Sequence, residues 1–357
     1  MATGVREKTD VAVPRPAGRL PSFISQQHTL VIFMTGFILI GTLFLPNPQL
    51  ITFPIIIQFA VACTLPVVYA IVAHAVYHAV KSRSMNMGMD WTFRHVLARS
   101  NMARGIPTII VFGAFILTFP SFKSNIPVFH PYSWDPFFAS FDRSLHFGLT
   151  PWQLIASLTR YGEVTVLLDK LYYLWFPAIF MAVGVAAMAP GESVLRHRFL
   201  MSFSAAWIII GVLMATWLSS VGPIFHDRLL GTTSEFTSLI ANLERINSVI
   251  PLRTMEVREQ LWQAYTGQSR SIVSGISAMP SMHNAICVLI FLAARHIHRY
   301  LAIAAASYAM LIFIGSVHLG WHYAADGYVS AFIVALIWKA AGWQLHEPGV
   351  GFFGKKG

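Results

Sequence analysis

Two short stretches place histidines beside polar groups at the start of apolar segments. The first, SGISAMPSMHNAICVLIF, carries Ser281 and His283 where the apolar run begins. The second, GSVHLGWHYAADGYVSAF, carries His322 and Asp326 inside another apolar run. Ionisable side chains in a membrane-spanning segment are costly and are usually paired or functional. These stretches are therefore the first candidates for a functional site.

The spacing of these residues predicts a particular chemistry. Residues four apart share a face of a helix, so His322 and Asp326 are able to form a hydrogen bond. A carboxylate bound to one ring nitrogen fixes the tautomer and leaves the other nitrogen free as a nucleophile or base. His283, on a neighbouring helix, is then suited to protonate a leaving oxygen. Ser281 and the N–H groups of a helix opened by Pro280 suit an anion such as phosphate. Together these groups predict phosphoryl transfer.

Two other kinds of site fit the spacing less well. Ser281 and His283 are two residues apart and do not face each other on a helix, which disfavours a serine hydrolase. His318 and His322 have the spacing of a metal-binding pair, but no further carboxylate or cysteine ligand stands nearby in the sequence. We therefore expect no metal ion and no cofactor. A lone histidine in an apolar helix is usually a packed residue, so the prediction rests on the combination.

The composition is that of an integral membrane protein. Of 357 residues, 55% are hydrophobic and 11% are charged, and the mean hydropathy is +0.60. Soluble domains carry about 25% charged residues, so this chain has too few to cover a water-facing surface. The formal net charge of +10 lies mostly in short loops. There it indicates membrane topology and attraction to anionic lipid, not nucleic-acid binding.

Stretches of about 20 apolar residues predict eight transmembrane helices. Segments 84–104 and 134–160 mix aromatic and charged residues, a pattern typical of helices that lie in the membrane interface. The predicted fold class is therefore all-α, a polytopic membrane helical bundle. The predicted spans lie near residues 29–46, 51–77, 106–121, 171–189, 199–220, 281–295, 300–317 and 323–342.

Lysines and arginines in the connections predict the orientation of the chain. Eight spans place five basic segments on one side of the membrane, which is then the cytoplasmic side and holds both termini. The two histidine stretches lie together at the opposite, extracytoplasmic face, which is periplasmic or luminal. The basic segments are Arg6–Arg19, Lys81–Arg104, Arg196–Arg198, Arg295–Arg299 and Lys355–Lys356.

PSMH followed by HYAAD resembles two signature motifs of the type 2 phosphatidic acid phosphatase superfamily, of the forms SGH and SRxxxxxHxxxD. Met282 replaces the glycine of the first motif, and the SR pair of the second falls on Gly315 and Ser316. The remaining motif, KxxxxxxRP, has no true copy. DKLYYLWFP supplies Lys170 and Pro177 in a broken register, without an arginine.

This pattern of losses is similar to the branch that contains inositol phosphorylceramide synthase and the sphingomyelin synthases. DPFFASFDRSLHFG, DKLYYLWFP and SSVGP also look similar to that branch. The resemblance covers roughly residues 106–342. Together with the predicted spans and their orientation, it divides the chain into four regions. They are a mobile cytoplasmic tail at 1–28, two N-terminal transmembrane helices with a basic cytoplasmic loop at 29–105, a catalytic six-helix membrane domain at 106–342 and a cytoplasmic tail at 343–357.

The resemblance also implies a role for each site residue. His322 would attack the phosphorus and form a phosphohistidine, while Asp326 holds its ring. His283 would protonate the leaving alcohol and then activate the acceptor. The arginines that usually grip the phosphate are missing, so basic residues at the outer face are the predicted substitutes: Lys170 first, then Arg160 and Arg228, beside Ser281.

The predicted function is a membrane lipid phosphotransferase. It moves a phospho-head group from a phospholipid donor to a lipid alcohol acceptor such as ceramide or diacylglycerol. The alternative is a phosphatase for phosphatidic acid or a polyprenyl pyrophosphate; such hydrolases generally keep both arginine motifs, so transfer is favoured. A transporter is disfavoured because the ionisable residues cluster at one face. A non-catalytic membrane protein is the remaining interpretation.

Overall fold

The structure, a computed structural model, describes residues 23–45, 53–159, 161–190, 193–268, 275–343, 350–351 and 354–355. In this part of the chain the secondary structure is helical apart from one pair of two-residue strands, Val350–Gly351 and Gly354–Lys355. The all-α prediction is therefore confirmed. The helices are α1 Phe23–Leu43, α2 Phe53–Ser82, α3 Met85–His95, α4 Arg99–Phe129, α5 Asp135–Leu145, α6 Pro151–Thr159, α7 Gly162–Tyr173, α8 Trp175–Ala187, α9 Val194–Ile208, α10 Ala215–Trp217, α11 Pro223–Leu230, α12 Thr237–Asn247, α13 Arg253–Tyr265, α14 Met282–Ala294, α15 Arg299–His318 and α16 Ala324–Trp343.

The described residues contain six helical segments long and apolar enough to cross a membrane, which confirms an integral membrane protein. Two further predicted spans correspond to shorter apolar helices, Ile32–Leu43 and Met282–Ala294. The six long segments are Ile57–Ser82, Arg99–Phe129, Gly162–Ala187, Val194–Trp217, Arg299–His318 and Ala324–Gly342.

Helix α4 is much longer than the span predicted at 106–121. It contains Pro107, Pro120 and Pro127 and continues to Phe129. Proline is tolerated in membrane helices because neighbouring groups satisfy the freed backbone carbonyls. Residues 99–104, predicted to lie in the interface, are therefore the first turns of α4. Lys123, which the prediction leaves in an outer loop, lies near the other end of this helix.

The interfacial segment predicted at 134–160 is two short helices, α5 and α6. Phe147 and Gly148 both have positive φ, 58° and 86°, and they turn the chain between the helices. The exposed residues of α5 include Phe137, Phe141 and Leu145, whereas Asp135 and Asp142 are buried. This amphipathic pattern is the one expected of a helix at a membrane surface.

Helix α14 lies among α8, α9, α15 and α16, and it is buried along Ala285, Ile286, Cys287 and Leu289. Helix α9 continues as a π-helical segment, Ile209–Met214, which packs against the start of α14. A Cβ atom on Gly211 in that segment would lie 2.9 Å from the Phe119 ring and 3.1 Å from the sulfur of Met282. The absence of a side chain at Gly211 therefore makes room for Met282 at the start of α14, next to His283.

Candidate active site

His322 lies in the short turn between α15 and α16, and Asp326 lies in the first turn of α16. The Nδ1 atom of His322 is 3.1 Å from Asp326 Oδ2 and 2.8 Å from the carbonyl oxygen of Ala278. Both partners only accept hydrogen bonds, so Nδ1 must carry the ring proton. The lone pair of the neutral ring is then on Nε2. This is the tautomer that a nucleophilic histidine needs.

The electrostatics of the site favour the same state. Burial lowers the pKa of His322 to about 3; the hydrogen bond to the Ala278 carbonyl opposes this shift, and the charge of Lys123 adds to it. The ring is therefore neutral at physiological pH. The backbone N–H of Tyr323 donates to Asp326 Oδ2 at 3.0 Å, which fixes the carboxylate that orients the ring.

Two buried carboxylates of α5 hold the segment that carries His322 and Asp326. Asp142 accepts hydrogen bonds from the backbone N–H groups of Ala324 and Ala325, at 2.7 and 2.8 Å, and so caps the start of α16. Asp135 accepts from the Tyr323 hydroxyl at 3.0 Å. A carboxylate at a helix N-terminus satisfies N–H groups that have no partner within the helix. The DPFFASFDRS stretch thus supplies positioning groups to the site.

His283 lies in the first turn of α14, with its ring between two aromatic side chains. The ring centroids are 4.4 Å from Tyr172 and 4.1 Å from Trp175. The indole N–H of Trp175 also donates to the backbone carbonyl of His283 at 3.2 Å. The two histidine rings are 6.0 Å apart, centroid to centroid. These contacts engage the faces of the His283 ring rather than the ring nitrogens at its edge.

Ser281 is the N-cap of α14 and is fully buried. Its Oγ accepts from the backbone N–H of Asn284 at 3.3 Å and from the Asn284 side-chain amide at 3.0 Å. Its own backbone N–H donates to the carbonyl of Asp326 at 3.4 Å. Ser281 therefore joins the two histidine stretches. Its predicted contact with phosphate stays a prediction.

Lys123 is a basic residue beside the histidines that is absent from the predicted set. Its charge lies within electrostatic range of both His283 and His322. The loop before α14 packs against the backbone of Lys123 through Gly275, where φ is +85° and a Cβ atom would collide with α4. The sequence carries a signal for this residue: KSNIPVFHP, beginning at Lys123, keeps the spacing of KxxxxxxRP with His130 in place of arginine.

Two of the three predicted phosphate-binding cations lie within the described residues. Lys170 is exposed on α7. Arg228 forms an ion pair with Glu259, with a closest N–O distance of 2.6 Å. Arg160 lies outside the described residues. The structure thus brings together Ser281, His283, His322 and Asp326 and adds Lys123, and a phosphate contact by the three predicted cations stays a prediction.

His318 does not form a pair with His322. Its Nε2 is 2.8 Å from the hydroxyl of Thr165, and the side chain is buried at the end of α15. Among the described residues, no group of three or more His, Cys, Asp or Glu side chains has the arrangement of a metal site.

The comparison with protein families adds the identity of the fold. A family model described as the PAP2 superfamily matches residues 136–340, which is more than half of the chain and includes His283, His322 and Asp326. The chain belongs to the PAP2 superfamily. No curated protein and no solved structure matches it. Members of the PAP2 superfamily are typically phosphatases or phosphotransferases, so membership supports an enzyme that acts on phosphate esters.

Proposed function

We propose that this PAP2 protein is a membrane lipid phosphotransferase, similar to inositol phosphorylceramide synthase, that works through a phosphohistidine. The observation that carries the proposal is the hydrogen-bonded state of His322. Two acceptors hold the proton on Nδ1, so the lone pair of Nε2 is available, and the second histidine ring lies 6.0 Å away. This arrangement separates a nucleophile from a general acid by the width of a phosphoryl group.

In the proposed first step, Nε2 of His322 attacks the phosphorus of a phospholipid. The P–N bond forms while the P–O bond to diacylglycerol breaks. His283, protonated in the enzyme–substrate complex, gives its proton to the leaving oxygen. Asp326 stabilises the positive charge that develops on the His322 ring, as a carboxylate does for a catalytic imidazole.

In the second step, the hydroxyl group of the acceptor lipid replaces the histidine. Neutral His283 now takes the proton of that hydroxyl, and the alcohol oxygen attacks the phosphorus. The P–N bond breaks, the head group is on the new lipid, and both histidines return to their starting states. Water in place of the lipid alcohol would give hydrolysis by the same steps.

The charge of Lys123 near the histidines supports a phosphodiester donor. Lys123 is the basic side chain whose charge acts on both rings, whereas Arg228 is engaged by Glu259. A phosphomonoester carries a charge of about −1.5 to −2 at pH 7, but a phosphodiester carries a single negative charge. One lysine compensates a diester better than a monoester, which favours transfer from a phospholipid over hydrolysis of phosphatidic acid.

The surroundings of the site support lipid substrates. Helix α5, whose Asp142 caps α16, exposes Phe137 and Phe141 at 52% and 40% of their surface. These rings stack on each other along one face of the helix. A helix with such a face buries it at the lipid boundary, so the element that positions His322 also borders the membrane from which a lipid would enter.

The test uses purified protein in detergent with head-group-labelled phosphatidylinositol, with and without ceramide. We expect the label to move to ceramide, and we expect an acid-labile, base-stable phosphoenzyme when the acceptor is omitted. Diacylglycerol is the second acceptor to test. Release of free phosphate from phosphatidic acid or a polyprenyl pyrophosphate, with no labelled lipid product, would replace the transferase by a phosphatase.

We also propose that the site opens at the extracytoplasmic face and that both termini are cytoplasmic. The support is the alternation of basic and less basic connections across the spans. Single cysteines at the exposed positions Gln268 and His298, with Cys63 and Cys287 replaced by serine, test this orientation in intact cells. A membrane-impermeant maleimide should label the cysteine at position 268 and not the one at 298. The reverse pattern would place the active site at the cytoplasmic face.

A further inference from the structure

Tyr172 on α7 contacts His283, the proposed general acid. It also lies near Asp326, the carboxylate that holds the proposed nucleophile His322. Its ring is stacked on His283 with an angle of 21° between the planes and a centroid distance of 4.4 Å. Behind it lies Gly315 of α15, where a Cβ atom would be 3.7 Å from the Tyr172 ring. The side chain is 3% exposed. The ring is therefore held between α14 and α15, and it limits the rotation of His283.

The hydroxyl group of Tyr172 indicates a second contact. Its hydroxyl group is buried and has no hydrogen-bond partner among the described residues. The same is true of Oδ1 of Asp326, the carboxylate oxygen that does not hold His322. Tyr172 and Asp326 lie within electrostatic range of each other. Buried polar atoms without partners are rare in folded proteins, and a water molecule usually satisfies them.

We propose that Tyr172 is a positioning residue that acts on both histidines, an inference that rests on the proposed function. Its ring fixes the plane of His283. Its O–H donates to a bound water, and the water donates to Oδ1 of Asp326. The carboxylate then has both oxygens engaged, Oδ2 by His322 and Oδ1 by the water. The two halves of the site are thereby held at a constant separation.

A neighbouring tyrosine provides a matched control. The Tyr308 hydroxyl on α15 donates to the backbone carbonyl of Leu171 at 3.0 Å and therefore already has an acceptor. Both tyrosines pack between α7 and α15, and Tyr→Phe removes one hydroxyl at either position, buried at Tyr172 and part-buried at Tyr308. A general effect of losing a hydroxyl group between these helices would appear in both variants. An effect on the carboxylate of Asp326 would appear only at Tyr172.

The experiment measures kcat and KM for Tyr172→Phe, Tyr172→Leu and Tyr308→Phe, each with and without Asp326→Asn. We expect Tyr172→Phe to lower kcat about tenfold with little change in KM, which is the size of one net hydrogen bond, and Tyr308→Phe to resemble the parent. In the Asp326→Asn background, Tyr172→Phe should cause no further loss, because the carboxylate it acts on is gone. Tyr172→Leu should still cause a loss there, because the stack on His283 is separate.

Three results would overturn the inference: parental kcat in Tyr172→Phe, equal losses in the two Tyr→Phe variants, or additive losses with Asp326→Asn. Thermal unfolding in detergent checks that each variant is folded. Phenylalanine keeps the ring. The comparison of Tyr172→Phe with and without Asp326→Asn therefore decides the role of the Tyr172 hydroxyl even where Tyr172→Leu does not fold. His322→Ala, measured in parallel, separates the two proposals. An active His322→Ala would overturn the proposed mechanism itself, whereas with an inactive His322→Ala the Tyr172 variants alone decide the role of Tyr172.

Discussion

Among the places where histidines contact aromatic rings, two regions differ in what binds the ring nitrogens. The first is the pair formed by His283 and His322, the active-site pair. The second is the Trp91 stack, in which histidines of α2 and α3 surround one indole. There the rings of His78, His95 and His74 lie 3.3, 4.7 and 5.9 Å from Trp91, centroid to centroid, with interplanar angles near parallel.

The partners of the ring nitrogens distinguish the two regions. In the Trp91 stack, His95 Nδ1 is 2.9 Å from the backbone carbonyl of Trp91. The nearby Asp90 forms an ion pair with Arg94 on the exposed surface of α3. In the active-site pair, the carboxylate of Asp326 is buried and bonded to a ring nitrogen. Stacking alone therefore indicates packing, whereas a buried carboxylate on one nitrogen prepares the other nitrogen for chemistry.

The largest expected effect comes from the active-site pair itself. His322→Ala removes the proposed nucleophile and should abolish turnover. His283→Ala removes the proposed general acid, a group worth about 10²- to 10⁴-fold in rate, and should leave activity at or below the limit of detection. His78→Ala, in the Trp91 stack, should retain the parental rate. Rates in detergent, with unfolding temperatures as the check on folding, measure this contrast, and a substantial rate in His322→Ala would contradict the assignment.

Asp326→Asn is expected to cause a smaller loss than His322→Ala. The carbonyl of Ala278 still accepts from Nδ1, so part of the tautomer preference remains. Replacing the aspartate of a catalytic triad by asparagine costs about 10⁴-fold where the carboxylate alone sets the tautomer; here we expect a measurable residual rate. The matched control is Asp90→Asn, because an exposed ion pair contributes at most about 1 kcal/mol. Equal rates in Asp326→Asn and Asp90→Asn would show that Asp326 has no role in catalysis.

Lys123→Met tests which cation binds the phosphate. The loss of a charge that acts on both histidines should raise KM for the phospholipid and lower kcat. We expect kcat/KM to fall by about 10²-fold or more, since a buried charge pair is worth several kcal/mol. Lys170→Met is the control, with an exposed lysine on α7. The opposite ranking of the two variants would restore Lys170 as the phosphate ligand predicted from the sequence.

The fold was largely predictable because apolar runs determine membrane spans. All eight predicted spans coincide with apolar helices. The errors fall where prolines and charges interrupt a run. Helix α4 passes through three prolines and ends eight residues after the predicted end at 121. Prediction from hydropathy ends the span before Lys123, whereas in the structure this lysine is still helical.

The site was predictable only where the chemistry is local in the sequence. His322 and Asp326 are four residues apart, and helical spacing predicts their contact; in the structure they are in contact, although His322 lies in the turn before α16 and only Asp326 is helical. The contacts of Asp142 with α16 and of Tyr172 with His283 join residues far apart in the chain, and no periodicity encodes such pairs. Ser281 illustrates a third case: its residue type suits phosphate binding and helix capping equally, and the structure shows the cap.

The smallest expected effect is that of removing divalent metal ions. In the proposed steps the leaving oxygen receives a proton from His283, and Lys123 offsets the phosphoryl charge, so each task that a metal ion performs in phosphoryl transfer is assigned to a side chain. Both oxygens of Asp142 accept hydrogen bonds from backbone N–H groups of α16, and Oδ2 of Asp326 accepts from His322 and from the N–H of Tyr323. Activity should therefore be unchanged in excess EDTA, in the parent and in His78→Ala alike. If EDTA removed the activity of the parent and magnesium or zinc restored it, the charge compensation assigned to Lys123 would have to pass to a metal ion.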